Sequence, residues 1–533
     1  RKVELLRRVL KDEPLVSPDE AFAIERSLPH GHIEAILTMG KRIGLDRLIS
    51  AKRTRERDLV LAMIVERLVC PCSKLATTRL LHTTTLADEL ALGDVDEDEL
   101  YAAMDWLLAH QSRIEKKLAK HHLAEGAQAL YDISSSYYEG HTCPLVTFGH
   151  SRDGKRGKPI VVYGVITDRL GRPVAVEVYP GNTADPSTVS DQVGKLKRRF
   201  GLERVVLVGD RGMLTQTQID HLKTHPGIGW ISALRTEKIR RLVEEQTIQP
   251  SLFDEQNLAE IHSDAFPDER LVACFNPLLA EKRRRTREEL LNVTEQALEK
   301  ICGQVQRRTK TPLSAAQIGQ KVGKVINRHK VGKHFQTTIA DGQFSYQRDN
   351  DAIEQEAALD GLYIIRTSES AQALPAEEAV RSYKNLAQVE RVFRTLKGVD
   401  LAVRPIHHRT EDRVRAHIFL CALAYYLEWH LRQAWAPLLF HDEQLADDRQ
   451  QRDPVAPAIP SASARRKKAQ RRTEDGLQIQ SFTTLITELG TRCRHRCRLK
   501  ADPGTPAIEQ ETQPTPLQAR AMELIRLFPV AGI

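Results

Sequence analysis

A single carboxylate stands among cations in the stretch RSYKNLAQVERVFRTLK, which covers residues 381–397. At about 100° per residue, a helix here carries an apolar stripe beside a polar face, and that face holds Tyr383, Glu390, Arg394 and Lys397. Carboxylate oxygens are the ligands that Mg²⁺ prefers, and cations attract phosphate, so this face suits phosphodiester chemistry. The alternative is an ordinary amphipathic helix with a solvated charged edge.

Two aspartates earlier in the chain stand where a sheet can bring them together. Asp132 lies in the strand-like run AQALYDISSSYYEG, and Asp210 follows the short apolar run LERVVLVG. Adjacent strands of an α/β sheet bring residues that are distant in sequence close enough to share metal ions. Taken alone, Asp132 also suits a strand-end turn, and Asp210 also suits a helix cap.

The segments around these aspartates predict a mixed α/β domain whose first part covers residues 126–235. The first strand pattern begins at Gln128, and others cover residues 160–167 and 173–179. A fourth is the short apolar run that ends at Gly209 and Asp210, and a fifth covers residues 228–234. Helical patterns lie before the fourth strand and again from about residue 215. The predicted order is strand, strand, strand, helix, strand, helix, strand, with Asp132 on the first strand and Asp210 beyond the fourth.

The rest of the chain divides into further predicted regions. Residues 1–125 favour helices, including one over SPDEAFAIERSL with a serine cap, and we expect a helical DNA-binding region there. Residues 236–379 are too many for a loop and predict an inserted α+β subdomain, before the core resumes at 380–440. Residues 441–533 predict a basic flexible linker and a C-terminal tail, with a strand-like run at 477–485.

The amino-acid composition indicates the cellular compartment and the broad class of the protein. Lys and Arg number 79 against 71 Asp and Glu, and the net charge of +8 permits nucleic-acid binding. No apolar run reaches the roughly 18 residues that a membrane helix needs. Eight cysteines spread over 533 residues do not form a disulfide framework. We therefore expect a cytoplasmic protein without a membrane partner.

Basic side chains also cluster in the N-terminal region. The members of this cluster are Lys41, Arg42, Lys52, Arg53, Arg55 and Arg57. Solvated surface is one interpretation of the cluster, and DNA recognition is the other.

The acidic residues and the motifs around them resemble the DDE transposases of bacterial insertion sequences. The motifs are YDISSSYYEG, VGDRGM and YKNLAQVERVFRTLK, and the last is similar to the Y-(2)-R-(3)-E-(6)-K signature of the insertion-sequence-four superfamily. RLVCPCSKLA, LYAAMDWLL, LDGLYIIRTS and VRAHIFLCALAYYL extend the resemblance, which is strongest to the sixteen-thirty-four branch. The chain departs from the signature at Leu386, where the family has Arg, although Lys384 or Arg381 can supply a nearby cation.

The resemblance implies a ribonuclease-H-like (retroviral-integrase-like) core with an insertion subdomain. It implies that Asp132, Asp210 and Glu390 are catalytic and hold two Mg²⁺ ions, with Mn²⁺ as a substitute. It further implies that Lys397 contacts phosphate near the cleaved end and that Tyr383 packs against terminal nucleotides. Arg394 and Arg211 are additional candidates for DNA contact.

The function implied by the resemblance is cut-and-paste DNA transposition. Such an enzyme binds terminal inverted repeats as a homodimer, cuts through a hairpin intermediate and joins 3′ hydroxyls to target DNA, in association with the bacterial nucleoid. Two alternatives remain at this point. One is a ribonuclease-H-like nuclease or resolvase, and the other is a domesticated DNA-binding protein without catalysis, because fold alone does not separate these functions.

The basic block Arg465 to Arg472 generates a first prediction. If these cations contact phosphate, removal of the block should weaken sequence-independent DNA binding and make it less dependent on salt. The measurement is the slope of the logarithm of the binding constant against the logarithm of salt concentration. An unchanged slope would show that the block does not touch DNA.

Overall fold

The computed structural model describes residues 22–500 and 506–529, together with residues 3, 7, 10 and 11. The chain forms two compact units. The described residues of the first fall within Arg1–Ile228, Asn385–Asp448 and Pro460–Ile533, and the second comprises Gly229–Lys384 and Arg449–Ile459. In this described part of the chain, none of the helices has both the length and the apolar character that crossing a bilayer demands.

The N-terminal part of the first unit is mainly helical. Its elements are β1 (Phe22–Pro29), α1 (Gly31–Arg42), α2 (Leu45–Ile49), α3 (Arg55–Val69), α4 (Lys74–Leu80), α5 (Leu86–Leu90) and α6 (Glu97–His122). Polar caps explain where the two longest helices begin. The Thr54 side chain accepts a hydrogen bond from the Arg57 amide before α3, and Asp96 and Glu99 form a reciprocal capping box at α6.

The sheet of the first unit follows these helices. Its elements are β2 (Gln128–Tyr137), β3 (Ile160–Thr167), β4 (Pro173–Pro180), α7 (Val189–Gly194), β5 (Val205–Val208) and α8 (Gln216–Lys223). The strands lie in the order β4, β3, β2, β5. β3 is antiparallel to both β2 and β4, whereas β5 is parallel to β2. The mixed α/β character predicted from the sequence is confirmed.

The second unit contains four neighbouring sheet strands and a separate hairpin. Its elements are β6 (Ile228–Ala233), α9 (Thr236–Glu244), β7 (Leu258–Ile261), β8 (Arg270–Phe275), α10 (Pro277–Arg307), α11 (Ala315–Arg328), β9 (Phe335–Ala340), β10 (Gln343–Arg348), α12 (Asn350–Ala357), β11 (Leu362–Thr367) and α13 (Ala376–Lys384). The sheet order is β6, β11, β8, β7, and β9 pairs with β10. One apolar core lies around the sheet and another between α10, α11 and the hairpin.

The chain then returns to the first unit. The remaining elements are α14 (Leu386–Lys397), α15 (Glu411–Ala434), α16 (Leu445–Gln451), α17 (Ala462–Gln470), α18 (Phe482–Gly490), β12 (Cys493–Leu499), β13 (Ile508–Glu511) and α19 (Pro516–Leu527). Helix α15 is buried along most of its length and contacts α3, α6 and β4. It therefore connects the N-terminal helices to the sheet.

Three predictions about the chain ends are wrong. The described part of the predicted helix SPDEAFAIERSL is strand β1, because it pairs antiparallel with β12 from the other end of the chain; residues 17–21 lie outside the described residues. The predicted flexible linker contains helices α16 and α17. The strand-like run at 477–485 becomes helix α18 from Phe482 onward, and Ser481 and Thr484 form its capping box.

The single helix predicted over residues 381–397 is in fact two helices. Helix α13 ends at Lys384 and α14 begins at Leu386. Between them, Asn385 has a ψ of −14°, and its carbonyl accepts the Gln388 amide in a tight turn. Asn is a weak helix former because its side chain competes for backbone hydrogen bonds. The two helices belong to different compact units.

Glu115 on α6 generates a stability prediction. Its side chain is fully buried, accepts the Val176 amide of β4 at 3.0 Å and pairs with Arg199 at 2.9 Å and Lys195 at 3.6 Å. Glu115→Ala should lower the free energy of unfolding by about 3–5 kcal/mol, because it leaves buried partners uncompensated. Thermal melting compared with Lys116→Ala, an exposed neighbour, is the measurement. Equal melting temperatures would contradict the expectation.

Candidate active site

Asp132 and Asp210 lie close together because of the register between β2 and β5. Leu130 pairs with Val208 at the end of their parallel ladder, and each aspartate follows its paired residue by two positions. Residues two apart along a strand point to the same face. The charge of Asp210 accordingly acts on the carboxyl of Asp132. The sheet thus brings together the two aspartates that the sequence singled out.

Asp132 is half-buried, and its surroundings disfavour the ionised form of its carboxyl. Burial first of all, together with the negative charges of Asp210 and Glu390, raises its pKa from 3.8 to about 7. The Ile133 amide, which donates to Asp132 Oδ1 at 2.8 Å, and the nearby Arg152 act in the opposite direction. Ionised Asp132 therefore lacks full compensation from the surrounding protein.

Asp210 shapes the turn that follows β5. Its Oδ1 accepts the amides of Gly212 at 3.0 Å and Met213 at 2.7 Å. These are the turn hydrogen bonds expected of an aspartate in this position. The side chain is exposed, and within the described residues its Oδ2 accepts no hydrogen bond. The turn fixes the carboxylate while one of its oxygens stays available.

Glu390 is presented by α14, which packs against β2 and β3. The buried stripe of this helix consists of Val389, Val392, Phe393 and Leu396. The Phe393 ring lies 5.7 Å from the Tyr163 ring of β3, centroid to centroid. Glu390 lies exposed beside the stripe, and its charge reaches Asp132. The charges of Asp210 and Glu390 thus both act on the carboxyl of Asp132.

Lys397 binds a protein carboxylate that the sequence interpretation missed. Its Nζ donates to Asp153 Oδ1 at 2.9 Å, and Arg404 pairs with the same oxygen. The Asp153 side chain is fully buried, and its Oδ2 accepts the Tyr137 amide at 3.0 Å. Burial lowers the pKa of Lys397, and Asp153 opposes that shift. The signal that could have found Asp153 is the charged run SRDGKRGK between two apolar strands.

Arg152 is the second residue that the sequence interpretation missed. Its backbone amide donates to the Ser135 hydroxyl of β2 at 3.0 Å, and its guanidinium pairs with Asp185. These contacts hold a cation close enough to lower the pKa of Asp132. Arg152 is therefore a cation at the carboxylate site itself.

The other predicted DNA contacts are distributed differently. Arg394 and Arg211 are exposed in the first unit. Tyr383 is half-buried on α13 of the second unit, so it does not share a helix with Glu390. The two cations proposed to replace the missing Arg at Leu386 are engaged, since Arg381 and Lys384 donate to backbone carbonyls of residues 449–456.

The N-terminal basic cluster is largely engaged within the protein. Arg53 and Arg57 both pair with Asp58, at 2.6 and 3.0 Å, and Arg55 pairs with Glu99 at 2.5 Å. Arg42 donates to the Phe528 carbonyl at 2.7 Å. Four arginines of the cluster therefore hold the N-terminal helices together, which weakens the interpretation of the cluster as a DNA-recognition surface.

Comparison with known proteins assigns the chain to a family. Residues 144–427, more than half of the chain, match the family model described as a transposase DDE domain. The chain belongs to this family. The matched range includes Asp210 and Glu390 and begins after Asp132. Membership in the DDE transposase family places the chain among the enzymes of DNA transposition and recombination.

Other comparisons add little to this family assignment. None of the curated proteins matches the chain. Among solved structures, a piggyBac transposase synaptic complex with hairpin DNA matches 86% of this chain and 76% of its own, with 9% sequence identity and a TM-score of 0.35.

DDE transposases generally use divalent metal ions. The donor types fit, because Asp132, Asp210 and Glu390 all offer the hard oxygen ligands that Mg²⁺ prefers. The desolvation and like-charge repulsion that raise the pKa of Asp132 are also conditions that a cation relieves. Among the described residues, however, no three or more His, Cys, Asp or Glu side chains form a group that could hold a metal ion.

The raised pKa of Asp132 predicts a pH-dependent effect of Asp132→Asn on stability. In the folded DDE transposase this carboxyl ionises near pH 7 instead of near 3.8, so its ionisation removes stability as the pH rises through that window. Relative to wild type, Asp132→Asn should gain stability between about pH 4 and pH 8, on the order of a few kcal/mol. Melting temperatures in EDTA measure this difference. A difference that stays constant with pH would contradict the assignment.

Proposed function

We propose that this DDE transposase binds terminal inverted repeats of an insertion sequence and catalyses metal-dependent cleavage and strand transfer by a cut-and-paste route through a hairpin intermediate. The observation that supports it best is the electrostatic coupling of Asp132 to both Asp210 and Glu390. Family membership and the motifs of the insertion-sequence-four superfamily, sixteen-thirty-four branch, add support.

The proposed core is ribonuclease-H-like and is formed by residues 126–235 and 380–440. In support, the strand order β4, β3, β2, β5 combines two antiparallel neighbours with one parallel neighbour, and α14 packs on β2. Residues 1–125 would form the helical DNA-binding region, and 236–379 the insertion subdomain. Residues 441–533 would complete the chain as a C-terminal region.

In the proposed mechanism, the carboxylate site positions the scissile phosphodiester. Asp132, Asp210 and Glu390 would hold Mg²⁺, or Mn²⁺ in its place, with two ions at the site. When bound, such ions supply charge neutralisation at the phosphate and a more acidic attacking hydroxyl or water. The amides of Gly212 and Met213 keep the Asp210 carboxylate oriented. Arg152 lies near enough to attract the phosphate toward Asp132.

Further DNA contacts are part of the proposal. Arg394 and Arg211 are exposed cations that suit phosphate, and Tyr383 is proposed to pack against terminal nucleotides. Lys397 would contact phosphate only by sharing or leaving the Asp153 carboxylate. A homodimer acting on paired transposon ends, in the cytoplasm at the nucleoid, completes the proposal.

The experiment that tests the proposed function uses labelled DNA that carries the element's own end. With Mg²⁺, wild type should nick at the repeat boundary and then yield hairpin or joined products on a denaturing gel. Asp132→Asn and Glu390→Gln should reduce cleavage by at least about a thousandfold while leaving DNA binding nearly intact, because each removes an oxygen ligand of the reacting site.

The control variant is Glu237→Gln, which changes an exposed carboxylate of the second unit and should cleave like wild type. Cleavage retained by Glu390→Gln would show that Glu390 is not part of the site. Metal-dependent cutting away from the repeat boundary would favour a nuclease or resolvase, and specific binding without cutting would favour a domesticated DNA-binding protein.

A further inference from the structure

A cavity of about 650 Å³ in the first unit is lined mainly by basic side chains. It lies among the end of α3, the beginnings of α4 and α6, and residues 402–417. Its basic lining residues are Arg67, Lys74, Arg404, Arg409, Arg413, His407, His408 and His417. Of the five Lys and Arg side chains, Arg404 pairs with Asp153 and Arg413 lies 3.9 Å from Asp105, and Glu97 is the carboxylate named among the described lining residues, so the lining is net positive.

Arg67 and Lys74 are buried cations that have no ion-pair partner among the described residues. Their side chains are only 7% and 4% exposed, and both line the cavity. Among the described residues, neither the Arg67 guanidinium nor the Lys74 ammonium has a hydrogen bond or an ion pair. Burial and the neighbouring Arg67 lower the pKa of Lys74 to about 8. An uncompensated buried cation is costly in free energy, and an anion in the cavity would remove that cost.

The other polar groups around the cavity do not neutralise these two cations. Burial raises the pKa of Tyr101, and Glu97 raises it further, which shows that Glu97 faces that hydroxyl. Glu66 is buried on α3 but does not line the cavity, and burial raises its pKa to about 7. The Arg413 guanidinium stacks over the Tyr101 ring at 4.2 Å.

Two histidines at the cavity respond to the same positive charge. Burial first of all, together with the positive charges of Lys74 and Arg67, lowers the pKa of His408 to about 3. The His417 ring lies 4.9 Å from that of His408, and its Nε2 lies 3.0 Å from the Val403 carbonyl. Its Nδ1 is buried without a hydrogen-bond partner. The cavity therefore combines unpaired cations with an unsatisfied buried polar atom.

Arg404 connects this cavity to the candidate active site. It lines the cavity and pairs with Asp153, and its Nε donates to the Lys397 carbonyl at 3.2 Å. Nearby, the Tyr138 hydroxyl donates to the His408 carbonyl at 3.1 Å. Tyr138 follows Asp132 by six residues, roughly 20 Å of extended chain. The cavity is thus continuous with the catalytic structure but separate from the carboxylates.

We propose that this cavity binds a phosphate group of the DNA strand, several nucleotides from the bond that is cut, with Lys74 and Arg67 as its principal ligands. The proposal rests on the proposed transposase function. Arg offers a planar fork to two phosphate oxygens, and Lys adds a point charge. A volume of about 650 Å³ also accommodates the attached sugar. The proposal gives the motif RLVCPCSKLA a role in phosphate binding, because the motif contains both Arg67 and Lys74.

The test measures binding of the full-length protein to a labelled DNA duplex in EDTA, between about 50 and 200 mM salt. Lys74→Met keeps most of the side-chain volume and removes the charge. It should reduce the salt slope by about one and weaken binding roughly five- to tenfold at 0.1 M salt. Lys74→Arg should restore binding, and Lys116→Met on the exposed face of α6 should leave it close to wild type.

Thermal melting separates a binding role from a structural one. If Lys74 is an uncompensated buried charge, Lys74→Met should melt at the same temperature as wild type or higher. A lower melting temperature together with weak binding that Lys74→Arg does not restore would overturn the proposal. So would equal salt slopes for Lys74→Met and wild type.

Inorganic phosphate is a second probe that distinguishes the source of the anion. If phosphate raises the melting temperature of wild type but not of Lys74→Met while both bind DNA alike, the cavity is a small-anion site and the DNA proposal fails. If wild type shows Lys74-dependent DNA binding but never cleaves, the inference stands and the proposed function fails. The two failures are therefore distinguishable.

Discussion

The parallel pairing of β2 with β5 is the constraint on which the candidate active site depends. Its register sets Leu130 against Val208, so Asp132 and Asp210 reach the same end of the ladder although 77 residues lie between them. Helix α14 is held over β2 by its buried stripe, and the position of Glu390 follows from that packing. A one-residue slip would turn Asp132 to the other face of the sheet and separate the carboxylates.

The first unit contains two sites of opposite and incompletely compensated charge. At one, burial and neighbouring carboxylates oppose the ionisation of Asp132. At the other, burial and neighbouring cations oppose the protonation of Lys74 and His408. Both arrangements cost stability in the isolated protein. In the proposed complex with metal ions and DNA, both costs would be relieved, because cations would neutralise the first site and phosphate would neutralise the second.

Two other buried carboxylates of the first unit, Asp153 and Glu115, are paired with cations. Asp153 is fully buried but compensates both Lys397 and Arg404, and Glu115 compensates Lys195 and Arg199. Paired groups of this kind hold elements together. They also show that a charge in a helical pattern says little about its role, since Lys397 has the spacing of a DNA contact and an internal carboxylate as its partner.

The sequence by itself determined the order of strands and helices in the core, because periodicity and turn residues are local signals. It also singled out Asp132, Asp210 and Glu390 as candidate site residues, because they lie in motifs that resemble those of a known family. Only the tertiary structure decided the partners of charged residues, such as Asp153 for Lys397, and the cavity around Lys74. It likewise decided that Phe22–Pro29 is a strand and that the helix predicted over residues 381–397 is interrupted at Asn385. These features depend on contacts between residues hundreds of positions apart, or on packing that overrides weak local preference, and neither leaves a pattern in a single segment.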